Sequence, residues 1–373
     1  MKFIVSSTAL LSHLQVISRV IDSKNSIAIL YNFLFRLKGN TLTMTASDEE
    51  TTMTSSIEVM DAEGDGVFAV SPKILLNPLK ELPDQPLTFE INDENLEIFI
   101  YFQNGKYNFI GVNGDEYPQK SPLSPEAKTI KIPAQVLLNG INRTLFATGV
   151  DFVLRPIMTG IYVDIHPEYL ICVASDGRKL VRFKNDSVQA GFEASFILPK
   201  KPATLLKNVL PKEAGDVTVT FGDKNAVFEL SDFVLNCRLI EGRYPNYAAV
   251  IPENNTNRLI IDRSAFVNVL RRVSVFSNQA SNLVKLQLSD NQMQVSAQDI
   301  DFSTSAEENI VCNYGGDAMS IGFNSSYLVE ILNNILSQEV TIALADPSRA
   351  GLVLPVENQP NEDLLMLLMP MML

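Results

Sequence analysis

Apolar positions along the chain follow two periods that alternate. Short runs with every second residue apolar lead into longer runs with apolar residues at i, i+3 and i+4, the periods of a half-buried strand and of a one-sided helix. Three segments share this pattern: KFIVSSTALLSHLQVI from Lys2, TIKIPAQVLLNGINRTLF from Thr129 and RLIIDRSAFVNVLRRVSVF from Arg258. Anchored on Phe3, Ile130 and Ile260, they recur after 127 and 130 residues. A second set lies half a period later: VFAVSPKILLNPLKELP from Val67, SFILPKKPATLLKNVLP from Ser195 and SIGFNSSYLVEILNNILS from Ser320, spaced by 128 and 125 residues on Phe68, Phe196 and Ile321. A third echo ends each time in an acid: TMTASD at Asp48, CVASD at Asp176 and VSAQD at Asp299. Chance produces one such echo easily, whereas three in register predict three similar domains, 1–125, 126–253 and 254–373.

The pattern predicts helices over 8–24, 71–82, 133–149, 199–211, 262–277 and 324–337. Between them, runs such as LTFEINDENLEIFIYF, VTVTFGDKNAVFELS and VKLQLSDNQMQVSAQDIDFSTS alternate apolar and polar residues and are rich in β-branched and aromatic side chains. Asn104-Gly105 and Gly222-Asp223 punctuate such runs where hairpin turns belong, and 118–126 and 252–257 read as linkers. The fold class is α+β, with antiparallel sheets backed by two helices per domain.

Composition narrows the functional classes. A length of 373 residues fits two or three domains, and a 46% hydrophobic content excludes disorder. Cys172, Cys237 and Cys312 lie too far apart for a metal pair or a disulfide framework, which suits a reducing compartment. The opening Met1–Val5 resembles a signal peptide only briefly before polar residues interrupt it, and the apolar run 364–373 is half the ~20 residues a membrane span needs. A cytoplasmic chain without a membrane partner is therefore expected.

The net charge of −13 argues against a surface that binds nucleic acid all over. Its distribution changes that picture. The six helical windows hold Arg19, Lys24, Lys73, Lys80, Arg143, Lys200, Lys201, Lys207, Arg263, Arg271 and Arg272, against only Asp22, Glu81, Asp262 and Glu330. The helices thus carry +7 and the remainder −20. In the fifth window Phe266, Val269, Leu270, Val273 and Phe276 form the apolar stripe, with Arg271 pointing away and Arg272 at its flank. From the residues alone, these basic faces are either ordinary solvated helix surfaces or a local surface for phosphates.

Signals for catalysis are weak. His13 and His166 are the two histidines, neither sits beside a nucleophile in sequence, and no phosphate-cradling, dinucleotide or zinc-protease motif occurs. Asp299 and Asp301 share a strand face, more readily as an exposed polar face than as a metal pair, since further ligands are missing. The chain is read as a non-enzyme with no metal and no cofactor. The tail LLMLLMPMML is either a last strand or the rim of a pocket for apolar side chains, which adaptable methionines suit.

Several of these residues carry a resemblance. The start MKF, VASDGRKL (173–180), LIEGRYPNY (239–247), IGFNSSYLVEILN (321–333) and the terminal MPMML resemble bacterial replicative sliding clamps, the beta subunits of DNA polymerase III, across the whole chain. The resemblance implies a homodimeric ring of three-domain protomers, joined head to tail, that encircles duplex DNA and confers processivity in the cytoplasm, at the nucleoid during replication. Partners are the replicative polymerase catalytic subunit, the clamp loader and other proteins carrying short clamp-binding peptides.

It also implies sites. Lys24 matches a DNA-touching loop position, Lys200 and Lys201 match a basic pair leading into the fourth helix, and Arg143, Lys207, Arg271 and Arg272 join the DNA-facing set. The peptide pocket by match comprises Met158, Ser175, Gly177, Arg178, Leu180, Pro245, Val250, Leu367 and Met369, with a second subsite at Asn324, Tyr327, Pro370 and Met371. Phe109 on domain one matches a dimer contact that meets Val275 and Phe276 on domain three, with Lys73 and Lys106 facing Asp299, Asp301, Glu307 and Glu308. Arg178 stands for a common histidine, Met372 for a basic residue and Val150 for a glutamine.

Overall fold

A computed structural model describes residues 1–118, 122–150 and 155–373, so residues 119–121 of the first predicted linker lie outside it. The described residues form two compact units, Met1–Ala134 with Thr204–Leu239, and Gln135–Ala203 with Ile240–Leu373.

All six predicted helices are present: α1 Ser7–Ile17, α2 Pro72–Glu81, α3 Ala134–Thr144, α4 Lys200–Val209, α5 Arg263–Val273 and α6 Ser325–Asn333. Side-chain caps start α1, α5 and α6. Ser6 accepts from Ala9 N–H, Asp262 from Ala265 N–H at 2.7 Å and Asn324 from Tyr327 N–H at 3.1 Å, each satisfying an amide the first turn leaves unpaired. The helices are shorter than their sequence windows because the last turn tightens into 3₁₀ geometry at Ser18–Val20, Leu145–Ala147, Leu210–Lys212 and Ser274–Phe276. Lys24, placed in the first helical window, therefore sits in a turn beyond the helix.

The first unit holds a five-stranded sheet ordered Met60–Glu63, Lys2–Ser6, Pro86–Ile91, Glu97–Phe102, Gly105–Ile110. Its nine-stranded sheet runs Val112–Asn113, Gly66–Val70, Phe33–Lys38, Thr41–Ser47, Thr51–Glu58, Phe233–Arg238, Asn225–Glu229, Asp216–Phe221, Lys128–Pro133. The second unit repeats the scheme with a nine-stranded sheet, Ala194–Pro199, Gly160–Ile165, Leu170–Ser175, Lys179–Asn185, Glu362–Leu368, Gly351–Pro355, Glu339–Leu344, Asn257–Asp262, Asn313–Tyr314. A four-stranded sheet, Thr304–Val311, Gln292–Asp299, Leu283–Ser289, Met319–Asn324, completes it. The pairings between these strands are antiparallel.

The three acidic echoes are one structural device. Asp48 Oδ1 accepts from Glu50 and Thr51 N–H, Asp176 Oδ1 from Arg178 and Lys179 N–H, and Asp299 Oδ1 from Asp301 and Phe302 N–H. A short carboxylate that reaches its own backbone two and three residues on closes a turn. Asp299 is consequently buried and occupied by backbone, and does not share an exposed strand face with Asp301 as expected. Among the described residues no group of three or more His, Cys, Asp or Glu is placed to hold a metal ion.

Repeats two and three each hand their last strand to the repeat before. The strand after the first turn, Thr51–Glu58, pairs with Phe233–Arg238, the last strand of repeat two, with Thr51 opposite Cys237. The strand after the second turn, Lys179–Asn185, pairs with Glu362–Leu368, the last strand of repeat three, with Lys179 opposite Leu368. Both junctions close alike onto the turn: Arg238 N–H donates to Glu50 O at 2.8 Å, and Met369 N–H to Arg178 O at 2.9 Å. The strand after the third turn, Thr304–Val311, and the last strand of repeat one, Gly105–Ile110, each lie at the edge of their sheet.

The apolar stripes predicted for the helices face the sheets. In α1, Leu10, Leu14 and Ile17 are fully buried, each contributing roughly 1.5–3 kcal/mol. His13 also faces inward: its Nδ1 is 2.5 Å from Ser55 Oγ, and its ring lies 5.4 Å from Phe233. The Ser55 hydroxyl donates to Asp232 O at 2.7 Å, so Nδ1 carries the proton of the His13–Ser55 bond. Burial pushes the His13 pKa below its ordinary value, against the pull of Asp232. The unfolded chain then binds more protons than the native one between the lowered and the ordinary pKa, so stability falls as pH drops below about 6.5. Urea denaturation of wild type and His13→Gln from pH 7 to 5 is expected to show the steeper loss in wild type. Parallel curves would contradict it.

Candidate partner-docking site

The turn closed by Asp176 organises a group of cavities in the second unit. Gly177 sits at φ +86°, in the left-handed region that favours glycine, and a Cβ there would come within 2.5 Å of Arg155 Nη1. Two residues on, Lys179 is buried. Its Nζ reaches Glu330 Oε2 at 2.8 Å and Asp176 Oδ2 at 3.3 Å, and lies 4.4 Å from the centre of the Tyr327 ring. A buried ammonium is tolerated only with such partners, and these tie the turn to α6.

Against this frame lies a cavity of about 170 Å3 lined by Met158, Ser175, Gly177, Arg178, Leu180, Pro245, Val250, Leu367 and Met369. The structure thus gathers all nine positions of the sequence-predicted pocket, from four separate stretches of chain. Lys179, Tyr244, Asn246 and Tyr247 complete the wall and were missed. Tyr244 stacks on Tyr162 at 4.8 Å between ring centres, and burial raises its hydroxyl pKa. A second cavity of about 290 Å3 is lined by Asn324, Tyr327, Pro370 and Met371 with Ala280, Ser281, Arg178 and Met369. Arg178 Nη1 donates to Tyr327 Oη at 2.9 Å and forms a bar between the turn and α6, with Arg178 and Met369 shared by both cavities. A third, about 440 Å3, adds Gly149, Val150 and Arg155, which places Val150 at this site.

The tail ends the last strand and also lines the cavities. Leu364–Leu368 are buried as the end of the last strand, and beyond them Met369, Pro370 and Met371 form cavity rim, anchored by Met371 N–H to Gly322 O at 2.8 Å. Met372, where the resemblance expects a cation, is almost wholly exposed. Small, mostly apolar chambers with a few convergent polar groups suit large apolar side chains held by an extended peptide.

Family models of the DNA polymerase III beta subunit match the N-terminal domain at residues 1–121, the central domain at 131–246 and the C-terminal domain at 248–372. The chain belongs to the DNA polymerase III beta subunit family. Among curated relatives, beta sliding clamps of Treponema pallidum and Pseudomonas aeruginosa are 28% and 26% identical, covering 100% of this chain and 99% and 100% of theirs. The crystal structure of the Pseudomonas aeruginosa DNA polymerase III subunit beta superposes with a TM-score of 0.94 at 25% identity, covering 100% of both chains.

Within this beta subunit fold the remaining predicted residues separate. Lys24, Lys207 and Arg271 are exposed; Lys200 is exposed and Lys201 half-buried at the start of α4. Arg143 is half-buried and donates to Asn334 O at 2.6 Å, and burial lowers its pKa. Arg272 is committed to a bidentate pair with Glu308, Nε at 2.9 Å and Nη2 at 2.6 Å, which holds the Glu308 carboxyl below its usual pKa. That bond also removes Glu308 from the acids free to meet Lys73 or Lys106, as its turn removes Asp299. Phe109 is half-buried on its edge strand, while Val275 and Phe276 are exposed beyond α5. Among the described residues, no helix is long and apolar enough to cross a membrane.

Proposed function

We propose that the chain is a non-catalytic sliding clamp: two copies join head to tail into a ring that encircles duplex DNA. The recurring strand hand-over carries this reading. Repeat one receives a strand from repeat two and repeat two from repeat three, which leaves one donor edge, Gly105–Ile110, and one acceptor edge, Thr304–Val311, per chain. Unpaired edges are template surfaces that proteins ordinarily blunt, and two complementary ones close a heterologous dimer by rotation.

Equivalent ladder positions within the chain support one register for that joint. Hairpin pairing makes Phe109 the counterpart of Cys237 and Leu368, and Thr304 the counterpart of Thr51 and Lys179. Thr304 therefore faces Phe109 of the second copy, and counting along antiparallel strands brings Glu307 opposite Lys106. Val275, Phe276 and Ile110, all exposed in the single chain, supply apolar surface at the same joint.

A ring holds DNA topologically and needs only weak, uniform phosphate contacts, which exposed helix cations supply without base readout. In the proposed ring Lys24, Lys200, Lys201, Lys207 and Arg271 make them, together with Arg143 and Arg272. The replicative polymerase, the clamp loader and other partners dock short peptides in the two cavities beside Arg178. Sedimentation equilibrium tests the assembly: a species of twice 41.3 kDa is expected, and a monomer at every concentration would overturn it.

A further inference from the structure

The third turn departs from the other two in length and polarity. Two residues separate Asp48 from Thr51 and Asp176 from Lys179, but four, Ile300, Asp301, Phe302 and Ser303, separate Asp299 from its ladder partner Thr304. The extra length is a built turn: Asp299 Oδ1 holds two of its amides, Ser303 N–H donates to Ile300 O at 3.2 Å, and Ser303 takes φ +52°. It presents Ile300 and Phe302 at 81% and 78% exposure, among the most exposed large apolar side chains of the chain. Holding two such side chains in water is unfavourable by area, and adjacent exposed apolar residues mark contact surfaces.

The chain itself shows what such a turn meets. At the junction of repeats two and three, Arg178 of the turn accepts the Met369 amide at its carbonyl and sends its side chain to Tyr327 of α6. The matching positions on repeat one follow from the ladders and helix caps. Ile110 corresponds to Met369 and Arg238, and Ile74, third after the Ser71 cap of α2, corresponds to Tyr327, third after the Asn324 cap of α6. Ile110 and Ile74 are 74% and 43% exposed. Where the side chain of the internal turn meets a polar partner on the helix, Arg178 against Tyr327, the open turn and the open helix position, Ile300 and Phe302 on one and Ile74 on the other, are apolar.

We propose that the 300–303 turn is an apolar latch that seats against Ile74 and Ile110 of a second copy, beyond the strand pairing itself. This rests on the head-to-tail reading above. The complementarity specifies a second copy of this chain as the occupant, since both halves of the contact are found on it and match by repeat position.

The test is the dimer dissociation constant from sedimentation equilibrium of the full chain. Ile300→Ser/Phe302→Ser is expected to raise it about ten-fold or more, as loss of buried apolar anchors does. Ile74→Ser is expected to weaken the dimer similarly, and combining all three to add little further, the signature of residues in contact. Unchanged far-UV circular dichroism and melting would show that the monomer fold is intact. Lys106→Glu, which acts on the strand pairing, separates the two levels of inference. If it weakens the dimer while the turn variants match wild type, the latch is overturned and the ring reading stands. If wild type is monomeric throughout, the joint and the latch fall together.

Discussion

Removing residues 370–373 is expected to abolish stimulation of the replicative polymerase while leaving the dimer mass unchanged. Pro370 and Met371 form one wall of the second cavity, and Met371 is held by a single bridge to Gly322, so the segment is a rim applied to a finished fold. The core beneath it ends at Leu368, which pairs with Lys179 and stays in place. Peptide anchors that fill such chambers typically carry 2 kcal/mol or more each, so the truncated protein should bind a polymerase-derived clamp-binding peptide about thirty-fold more weakly. Fluorescence anisotropy with a labelled peptide, alongside primer extension, measures both consequences. Normal stimulation by the truncated protein would remove the cavities from the docking account.

Reversing one charge at the joint should separate the protomers, and reversing its partner should restore them. The proposed register would set Glu307 opposite Lys106 of the second copy, within the paired edge strands. Among the described residues Glu307 has only a long 3.4 Å contact from Gln294, and Lys106 lies 5.4 Å over the Phe99 ring, so each is available to a partner. Lys106→Glu would set two carboxylates against each other, a like-charge contact costing roughly 2 kcal/mol and about thirty-fold in dissociation constant. Adding Glu307→Lys to the same chain exchanges the charges and should return the constant to near its wild-type value. A double variant no better than the single would place these residues apart and refute the register.

Much of this was legible in the sequence because it depends on local periodicity. The two helical sets and the acidic echoes recur in fixed register, and that register reappears as equivalent ladder positions, since alternation fixes which face of a strand is buried. The residues that line the cavities were named through the resemblance carried by VASDGRKL and MPMML. What the sequence hid depends on distant partners. Lys179 reads as one more polar residue until Glu330, 151 positions away, is seen to neutralise it. Arg272 reads as a free helix cation until Glu308 on the neighbouring strand claims it. Asp299 and Asp301 look like a face of acids, but the first is consumed in closing a turn. Helix ends were overextended because a 3₁₀ turn keeps the apolar spacing while changing direction, which is why Lys24 left its helix.

The overall charge of −13 would disfavour DNA if it were uniform, yet the acids lie mainly on sheets and turns. Among the described residues of α2 to α6, Glu81 and Glu330 are the acids, and Glu330 is paired with Lys179. This division suits a protein that must stay on DNA without gripping it.

Retention on circular against linear DNA tests that claim most directly. Clamp loaded onto a nicked plasmid by its ATP-driven loader should stay with the DNA through gel filtration, and should be lost when a single cut opens the circle. Equal retention on the cut and uncut forms would mean that the protein is held by direct binding, and would contradict a topological ring.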